Sequence, residues 1–301
     1  MSAPKNARQT SRGRLYEFDG KRYWSVTTII KNGLPQPQIK EWAQTSVAEF
    51  AVANHRQIAA MLGTVRVVRL DNKKGSPIYV VSDPDAVAGA ISWLRNAPYR
   101  EGERKKNVGS AIHEAIEASI LGTPRSEPDP DLLPQMEAFH QWEADFKPEY
   151  LMAEASVYSD QEQYAGTLDI IARIGGRVLV TDTKSGKAVY ADAALQLSAY
   201  SRADFIGLRD GTKAPLPSID GAAVLHLPSL IDQEITGAPP YSFVPVRIDD
   251  DVYKAFLYCR ENFRWMEEIS RTVLGTPLLG PDGVTFLFPD GSAAEEEEAY
   301  A

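Results

Sequence analysis

Apolar residues recur at helical spacing over six stretches of the chain. In the clearest stretch, Ile39, Trp42, Val47 and Phe50 lie on one side of a predicted helix. Another stretch ends at Gly122, a residue that commonly terminates helices. The spacing therefore predicts helices over residues 38–53, 85–96, 108–121, 136–146, 192–206 and 252–263.

Sequence rich in β-branched residues lies between these helices. It covers residues 152–184, 222–227 and 242–248, with two further β-rich stretches within 64–81 and a short strand or turn within 16–30. Antiparallel strands mixed with flanking helices are typical of layered α/β or α+β proteins. The prediction is an α/β fold with a central mixed sheet flanked by helices.

The same pattern divides the chain into four parts. Residues 1–13 are predicted to be disordered, and residues 14–107 to form a mainly helical N-terminal arm or cap. Residues 108–275 are predicted to form the core domain. Residues 276–301 are a C-terminal extension, and its acidic tail contains the run Glu295–Glu298.

The sequence GTLDIIARIGGRVLVTDTK predicts a β-hairpin with Gly175 and Gly176 as its turn. In that register Ile174 faces Arg177, and counting back along both strands brings Asp169 opposite Asp182. The alternation of a strand then predicts two faces. Ile171, Val178 and Val180 share the face of the acids, and Leu168, Ile170, Ala172, Ile174 and Leu179 occupy the other.

Asp169 and Asp182 would place like charges about 5 Å apart on the sheet, which destabilises it unless a positive charge intervenes. Lys184 lies on the same face as Asp182, two residues further on. Such a pair also suits Mg²⁺ or Mn²⁺, because hard cations prefer oxygen ligands. The alternative is that both acids lie at frayed strand ends in water, with Lys184 as a surface ion-pair partner.

Two predicted helices carry further polar groups. Gly109, His113 and Glu117 are spaced by four and share a helical face. The small Gly109 would let that face approach the sheet, with His113 as a metal ligand, a phosphate contact or a packed side chain. Gln196 and Tyr200 share a face of the helix that follows the lysine.

The cysteine content, the apolar segments and the net charge of the chain limit the possible classes of site and of protein. The single cysteine, Cys259, excludes an internal disulfide, a Cys-rich zinc site and an iron–sulfur cluster bound by this chain alone, and it is predicted to be a buried apolar residue. The sequence lacks a membrane-spanning apolar run and an apolar signal segment, so a cytoplasmic protein is expected. The net charge of −9 argues against nucleic acid as a partner, but the distribution of charge matters more than the total. Arg100, Arg104, Lys105 and Lys106 form a local basic cluster, which is interpreted as a solvated loop.

The motifs together resemble the RecB-like branch of the PD-(D/E)xK nucleases, which includes phage exonucleases and CRISPR-associated relatives. The shared motifs are a helical histidine, G-x-x-D, D-x-K and Q-x-x-x-Y, in the order of the family. In this sequence they are His113, Gly166 with Asp169, Asp182 with Lys184, and Gln196 with Tyr200. Residues 25–51 also resemble the start of phage members, so the resemblance extends over about residues 24–206. Many relatives carry four cysteines for an iron–sulfur cluster, which this chain cannot match.

The resemblance implies a role for each matching residue. Asp169 and Asp182 would bind Mg²⁺ or Mn²⁺, with the Thr183 carbonyl and the His113 ring as further ligands. Lys184 would orient or deprotonate the attacking water and stabilise phosphate charge. Gln196 would position the lysine or the substrate, and Tyr200 would contact a phosphate. Glu154 matches an additional acid of some members, whereas His55, His140 and His226 match nothing and are interpreted as structural.

The resulting expectation is a metal-dependent DNA exonuclease of a phage, acting on DNA ends in recombination or replication within the host cytoplasm. The chain has no G-x-x-x-x-G-K-[ST] loop, so a helicase would be another chain, as would a recombinase or a single-strand-binding protein. A homo-oligomer is compatible with the sequence. The alternatives are an inactive DNA-end-binding module, a structure-specific endonuclease, or an accidental set of matches in a structural protein.

Overall fold

A computed structural model describes residues 7–35, 37–63, 65–71, 77–123, 130–208 and 210–274. Most of the predicted C-terminal extension, including its acidic tail, lies outside these residues. Within the described part, no helix is both long and apolar enough to cross a membrane.

The described chain alternates between short strands and helices. The strands are β1 (Ala7–Thr10), β2 (Gly13–Phe18), β3 (Lys21–Ser25), β4 (Val67–Asp71), β5 (Pro77–Val81), β6 (Glu149–Ser159), β7 (Tyr164–Ile174), β8 (Arg177–Lys184), β9 (Phe205–Gly207), β10 (Lys213–Ala214), β11 (Gly221–His226) and β12 (Ser242–Val246). The helices are α1 (Val26–Gly33), α2 (Pro37–Ala53), α3 (His55–Leu62), α4 (Pro84–Arg95), α5 (Ala97–Leu121), α6 (Leu133–Phe146), α7 (Asp192–Ser201), α8 (Leu230–Thr236) and α9 (Asp250–Glu267).

Ten of the strands form one mixed sheet. Its main path runs β1-β2-β3-β7-β6-β9-β10, and a branch continues from β7 through β8 and β11 to β12. The pairs β3–β7 and β8–β11 are parallel, whereas the other pairs of this sheet are antiparallel. Strands β4 and β5 form a separate two-stranded sheet. The predicted central mixed sheet is confirmed.

The N-terminal strands differ from the prediction for this region. Residues 7–10, which fall in the segment predicted to be disordered, form β1, and β2 and β3 follow directly. Because Trp24 and Ser25 of β3 pair with β7, the central sheet begins before the predicted boundary at residue 107. Helices α1 to α5 lie between β3 and β6, with the β4–β5 pair inserted between α3 and α4.

The β7–β8 hairpin has the predicted register. Ile174 pairs with Arg177, and the pairs continue to Ile170 and Thr181. Gly175 and Gly176 adopt φ values of 57° and 82°, the left-handed conformation that a tight two-residue hairpin turn requires. The pairs end one position before Asp169 and Asp182, so the predicted pairing of the two acids directly opposite each other stays a prediction.

Helices cover both faces of the sheet, and each face has its own apolar core. The first core packs α1, α7 and α9 against strands of the sheet. The second packs α5 and α6 against the opposite face, through Ile112, Phe139, Trp142, Ile170 and Leu225. Cys259 is 4% exposed in the first core, which confirms its prediction as a buried residue.

Candidate active site

The polar groups converge where the central sheet opens. Strand β6 pairs along one edge of β7, so β3 and β8 must share the other edge. The pairs with β3 end at Ala165, and those with β8 begin at Ile170. On this edge, residues 166–169 of β7 therefore have no partner among the described strands, because they lie in the gap between β3 and β8. This gap is the opening of the sheet, and side chains from α5 and α7 reach it.

His113, Glu154 and Asp169 form a group that could hold a metal ion. Each offers one ligand atom, and these atoms lie within 4.8 Å of one another. Nδ1 of His113, on α5, lies 3.3 Å from Oδ2 of Asp169 and 4.0 Å from Oε1 of Glu154. Two of these residues are predicted ligands, and the third is the additional acid on the strand before β7.

Glu154 enters this group through an irregularity in β6. Its φ of 48° lies in the left-handed region, which is unusual for a residue with a side chain. The pairs of β6 with β7 pass from Ala153–Ile170 to Ala155–Leu168, which places Glu154 beside Asp169. The irregular backbone therefore brings a second carboxylate to the histidine.

The predicted faces of β7 need a correction at this point. Strict alternation assigns Leu168 and Ile171 to opposite faces, but both pack into the first core. Asp169, expected on the face of Ile171, lies instead against His113 of α5, the helix that packs over Ile170. The left-handed backbone of Glu154, opposite Asp169, accompanies this change of face, whereas the register shift of β6 lies between Tyr150 and Met152.

Asp182 has partners on the other side of the opening. Its Oδ2 lies 2.5 Å from Nζ of Lys184, and its Oδ1 accepts a hydrogen bond of 2.8 Å from Nε2 of Gln196 on α7. The Asp182 side chain is 3% exposed, so it is not at a frayed, solvated strand end. It lies outside the group of His113, Glu154 and Asp169, and its role as a metal ligand stays a prediction.

The backbone of Thr183 connects the two sides of the site. Its amide donates a hydrogen bond of 2.6 Å to Oδ2 of Asp169. Oγ1 of the same residue is buried and has no hydrogen-bond partner within the described chain. The proposed use of its carbonyl as a metal ligand stays a prediction.

Tyr200 packs beneath the opening of the sheet. A Cβ atom added at Gly166 would lie 2.4 Å from Cε1 and 2.9 Å from Oη of Tyr200, so the G-x-x-D motif needs glycine for this contact. Tyr200 is 2% exposed, and its hydroxyl accepts a hydrogen bond of 3.3 Å from Nε2 of Gln196. Its hydroxyl thus orients Gln196, whereas the predicted phosphate contact of this buried ring is untested.

Burial and charge set the protonation of the group around His113. Burial, followed by the charge of Asp169, raises the pKa of Glu154 to about 8. Burial alone would lower the pKa of His113, but the charge and hydrogen bond of Asp169 outweigh it and raise this pKa to about 9. Despite its burial, Asp169 has a lowered pKa because His113 faces it.

Burial and neighbouring charges also set the pKa values of Asp182 and Lys184. Burial raises the pKa of Asp182, although Lys184 opposes this effect. Burial would lower the pKa of Lys184, but the charges of Asp182 and Asp169 outweigh it and raise the pKa above its ordinary value. Lys184 is therefore a cation at neutral pH.

Helix α5 passes close to the chain that follows Lys184. A Cβ atom at Gly109 would lie 3.4 Å from Oγ of Ser185, which agrees with the close approach predicted for this glycine. The basic cluster, interpreted from the sequence as a loop, belongs instead to the same helix, upstream of His113. The guanidinium of Arg100 lies 5.0 Å from the centre of the Phe50 ring, and the side chains of 104–106 lie outside the described ones.

A scan of protein-family models and a search of curated proteins found no match to this sequence. The features of the chain that bear on its function are the geometry of the site and the order of its motifs.

Proposed function

We propose that this chain is a metal-dependent nuclease that hydrolyses phosphodiester bonds from DNA ends, on a PD-(D/E)xK-type core. One observation carries the proposal: three potential metal ligands lie beside a buried aspartate that is paired with a partly exposed lysine. Phosphodiester hydrolysis needs an activated water and neutralisation of the phosphate charge. The two clusters offer residues for these two requirements.

The donor set fits a hard divalent cation. Two carboxylates and one imidazole are provided by His113, Glu154 and Asp169, and Mg²⁺ or Mn²⁺ accepts such ligands. The pKa of Glu154, raised to about 8 by partial burial and by the charge of Asp169, describes an acid that a bound cation would stabilise in its ionised form. When bound, the ion would supply Lewis-acid activation of water and of the phosphate.

Lys184 is assigned a charge-stabilising role in this proposal. Its raised pKa keeps the ammonium protonated, so it cannot readily accept a proton from water. A cation beside the reacting phosphate stabilises the negative charge that develops in the transition state. Asp182 holds that ammonium, and Gln196 holds Asp182 through the 2.8 Å hydrogen bond.

The proposed nuclease type is supported by the motif order, and the preference for DNA ends is proposed by analogy with the phage exonucleases that the motifs resemble. His113, Gly166 with Asp169, Asp182 with Lys184, and Gln196 follow one another as in RecB-like nucleases, and their side chains or backbones meet at the opening of the sheet. The net charge of −9 does not exclude DNA, because a metal and local cations can bind phosphate in an acidic protein. Action in phage recombination or replication is part of the same proposal.

The test is the degradation of end-labelled linear DNA, single- and double-stranded, with Mg²⁺, Mn²⁺ or EDTA. Wild type is compared with Asp182→Asn and with Asp251→Asn, which changes an exposed acid of α9 as a control. We expect metal-dependent digestion by wild type and by the control variant, and none by Asp182→Asn. Cleavage that survives Asp182→Asn would contradict the assignment of the site.

A covalently closed circle included in the same assay separates the alternatives. An end-dependent enzyme leaves the circle intact, whereas cutting of the circle indicates a structure-specific endonuclease. DNA binding without cleavage by the wild type indicates an inactive end-binding module.

A further inference from the structure

His226 is a buried histidine at the end of β11, next to the site but without an assigned role. It is 6% exposed, and its Nε2 lies 2.7 Å from the carbonyl oxygen of Gly186. A carbonyl oxygen can only accept, so Nε2 must carry the hydrogen and donate it. The bond therefore joins the end of β11 to the chain two residues after Lys184.

A second bond from the same strand end holds Lys184 itself. His226 pairs with Lys184 in the parallel β8–β11 register, and the amide of Leu227 donates a hydrogen bond of 2.8 Å to the Lys184 carbonyl. In turn, the Leu227 carbonyl accepts a hydrogen bond of 2.7 Å from Nε2 of the buried Gln135 on α6. Residues 226 and 227 thus fix the carbonyls of Lys184 and Gly186 against the body of the protein.

These hydrogen bonds from His226 and Leu227 lie at the end of a strand, because Lys184 is the last residue of β8. Strand ends and the loops that follow them open more readily than strand interiors. Gly186 is exposed, and the next residue that packs against the first core is Val189. The His226 bond therefore extends the fixed part of the chain beyond the end of the strand.

We propose that His226 is a positioning residue for Lys184. By holding the Gly186 carbonyl, it keeps the backbone of β8 ordered beyond Lys184 and so holds Nζ of Lys184 beside Asp182. This inference rests on the nuclease function proposed above. It assigns a function to a histidine that the sequence alone suggested was structural.

The test compares two substitutions of the same histidine. His226→Leu fills similar space without a donor, whereas His226→Gln keeps an N–H close to the position of Nε2. We expect His226→Leu to lower kcat on linear DNA on the order of 10²-fold, as small misplacements of a reacting group do. Its KM and metal affinity should stay near the wild-type values, because His113, Glu154 and Asp169 lie on other elements. His226→Gln should recover most of the lost rate.

Two further measurements separate positioning from general stability. The Lys184→Met variant and the Lys184→Met/His226→Leu variant should cleave at the same residual rate, because His226 acts through the lysine. Hydrogen exchange should increase over residues 184–190 in His226→Leu and return towards wild type in His226→Gln. The same two substitutions at His140, an exposed histidine paired with Glu143, are the controls and should leave kcat unchanged.

Several results would overturn the inference. One is a wild-type kcat for His226→Leu, and another is an equal loss in the Leu and Gln variants that follows their melting temperatures. Additive losses in the double variant would also overturn it. A further result would be that wild type and the His140 variants are equally well folded while wild type cleaves no DNA. In that case the nuclease proposal itself fails, and the positioning role fails with it.

Discussion

The Nζ atom of Lys184 lies 2.5 Å from Oδ2 of Asp182, and the side chain of that aspartate is only 3% exposed. Two charges in contact at a buried site are coupled, since each stabilises the ionised form of the other. The hydrogen bond from Gln196 to Oδ1 leaves Oδ2 for the lysine. The buried carboxylate of Asp182 thus holds the ammonium of Lys184 in a fixed position.

Replacing Lys184 by methionine should reduce cleavage strongly. Because the ammonium is proposed to stabilise transition-state charge, we expect Lys184→Met to lower kcat about 10²–10³-fold, the typical loss for one such group. Metal affinity, measured by calorimetry, should change little. A variant with normal kcat would remove the lysine from the mechanism.

The same substitution should also lower stability, and the size of the effect should depend on Asp182. Lys184→Met leaves a buried carboxylate without its cation, which we expect to cost about 1–3 kcal/mol in unfolding free energy. In the Asp182→Asn background no charge remains to be compensated, so the cost should be smaller. Chemical denaturation of the four proteins in this cycle measures the coupling. Equal costs in both backgrounds would show that the two residues are independent.

Glu154→Gly should separate stability from metal binding. The φ of 48° at Glu154 suits glycine, and relief of such backbone strain is worth on the order of 1 kcal/mol. We therefore expect the metal-free Glu154→Gly variant to melt at a higher temperature than wild type. The loss of one ligand should at the same time weaken Mn²⁺ binding in calorimetry and reduce cleavage.

Two control variants test the two halves of this prediction. Glu154→Gln keeps the strained backbone and removes the carboxyl group that would ionise to bind a metal, so it should lose metal affinity without the gain in stability. Lys147→Gly relieves a φ of 48° at the end of α6, away from the candidate metal ligands, and should gain stability with normal metal affinity. A metal affinity of Glu154→Gln equal to wild type would contradict the assignment of Glu154 as a ligand.

The pH dependence of stability should have a defined sign. The pKa values of Glu154 and His113 are raised from 4.5 to about 8 and from 6.5 to about 9, so the folded state holds both protons more tightly than the unfolded chain. Their stabilising contribution is complete below the unfolded values and is lost as the pH rises through about 8 and about 9. We expect the melting temperature of the metal-free protein to fall between pH 7 and pH 10.

Metal should oppose this loss. Both groups must release their protons to act as ligands, so Mn²⁺ affinity should rise over the same pH range. At pH 7, calorimetry in buffers of different ionisation enthalpy should detect proton release on binding. Binding without proton release would show that the ion does not use these two groups.

The parts of the site that the sequence predicted are those set by local rules. Two glycines fix the turn of the β7–β8 hairpin, so the register from Ile174–Arg177 to Ile170–Thr181 follows from counting. Helical spacing similarly places Gln196 and Tyr200 on one face of α7, where Gln196 contacts both Asp182 and Tyr200. These features depend on residues close together in sequence.

Other parts depend on contacts that no local pattern records. Glu154 has a left-handed backbone conformation opposite Asp169, and at this point of β7 the alternation breaks, so Leu168 and Ile171 pack on one face against expectation. The pairing of β3 with β7 joins residues that are far apart in the chain. The hydrogen bond of His226 to Gly186 likewise crosses between separate strands, which is why the histidine matched no motif.

Gly166→Ala should show how far the chemistry depends on the packing of Tyr200. The added Cβ would lie 2.4 Å from Cε1 of that ring, a separation that forces the ring or the strand to move. Overpacking of this kind costs about 1–3 kcal/mol. Because Tyr200 orients Gln196, its displacement should also disturb the hydrogen bond to Asp182 and lower kcat. Denaturation and digestion of linear DNA measure the two effects.

A second substitution can restore the space that the alanine takes. Tyr200→Leu has a shorter side chain, so Gly166→Ala should cost less stability in a Tyr200→Leu background than in the wild type. Gly89→Ala on α4 is the control, since a Cβ there meets no atom within 4 Å, and it should leave both stability and cleavage intact or slightly improved. If Gly166→Ala is as stable and active as Gly89→Ala, then the glycine of the G-x-x-D motif is not required by Tyr200, and the positioning of Gln196 needs another explanation.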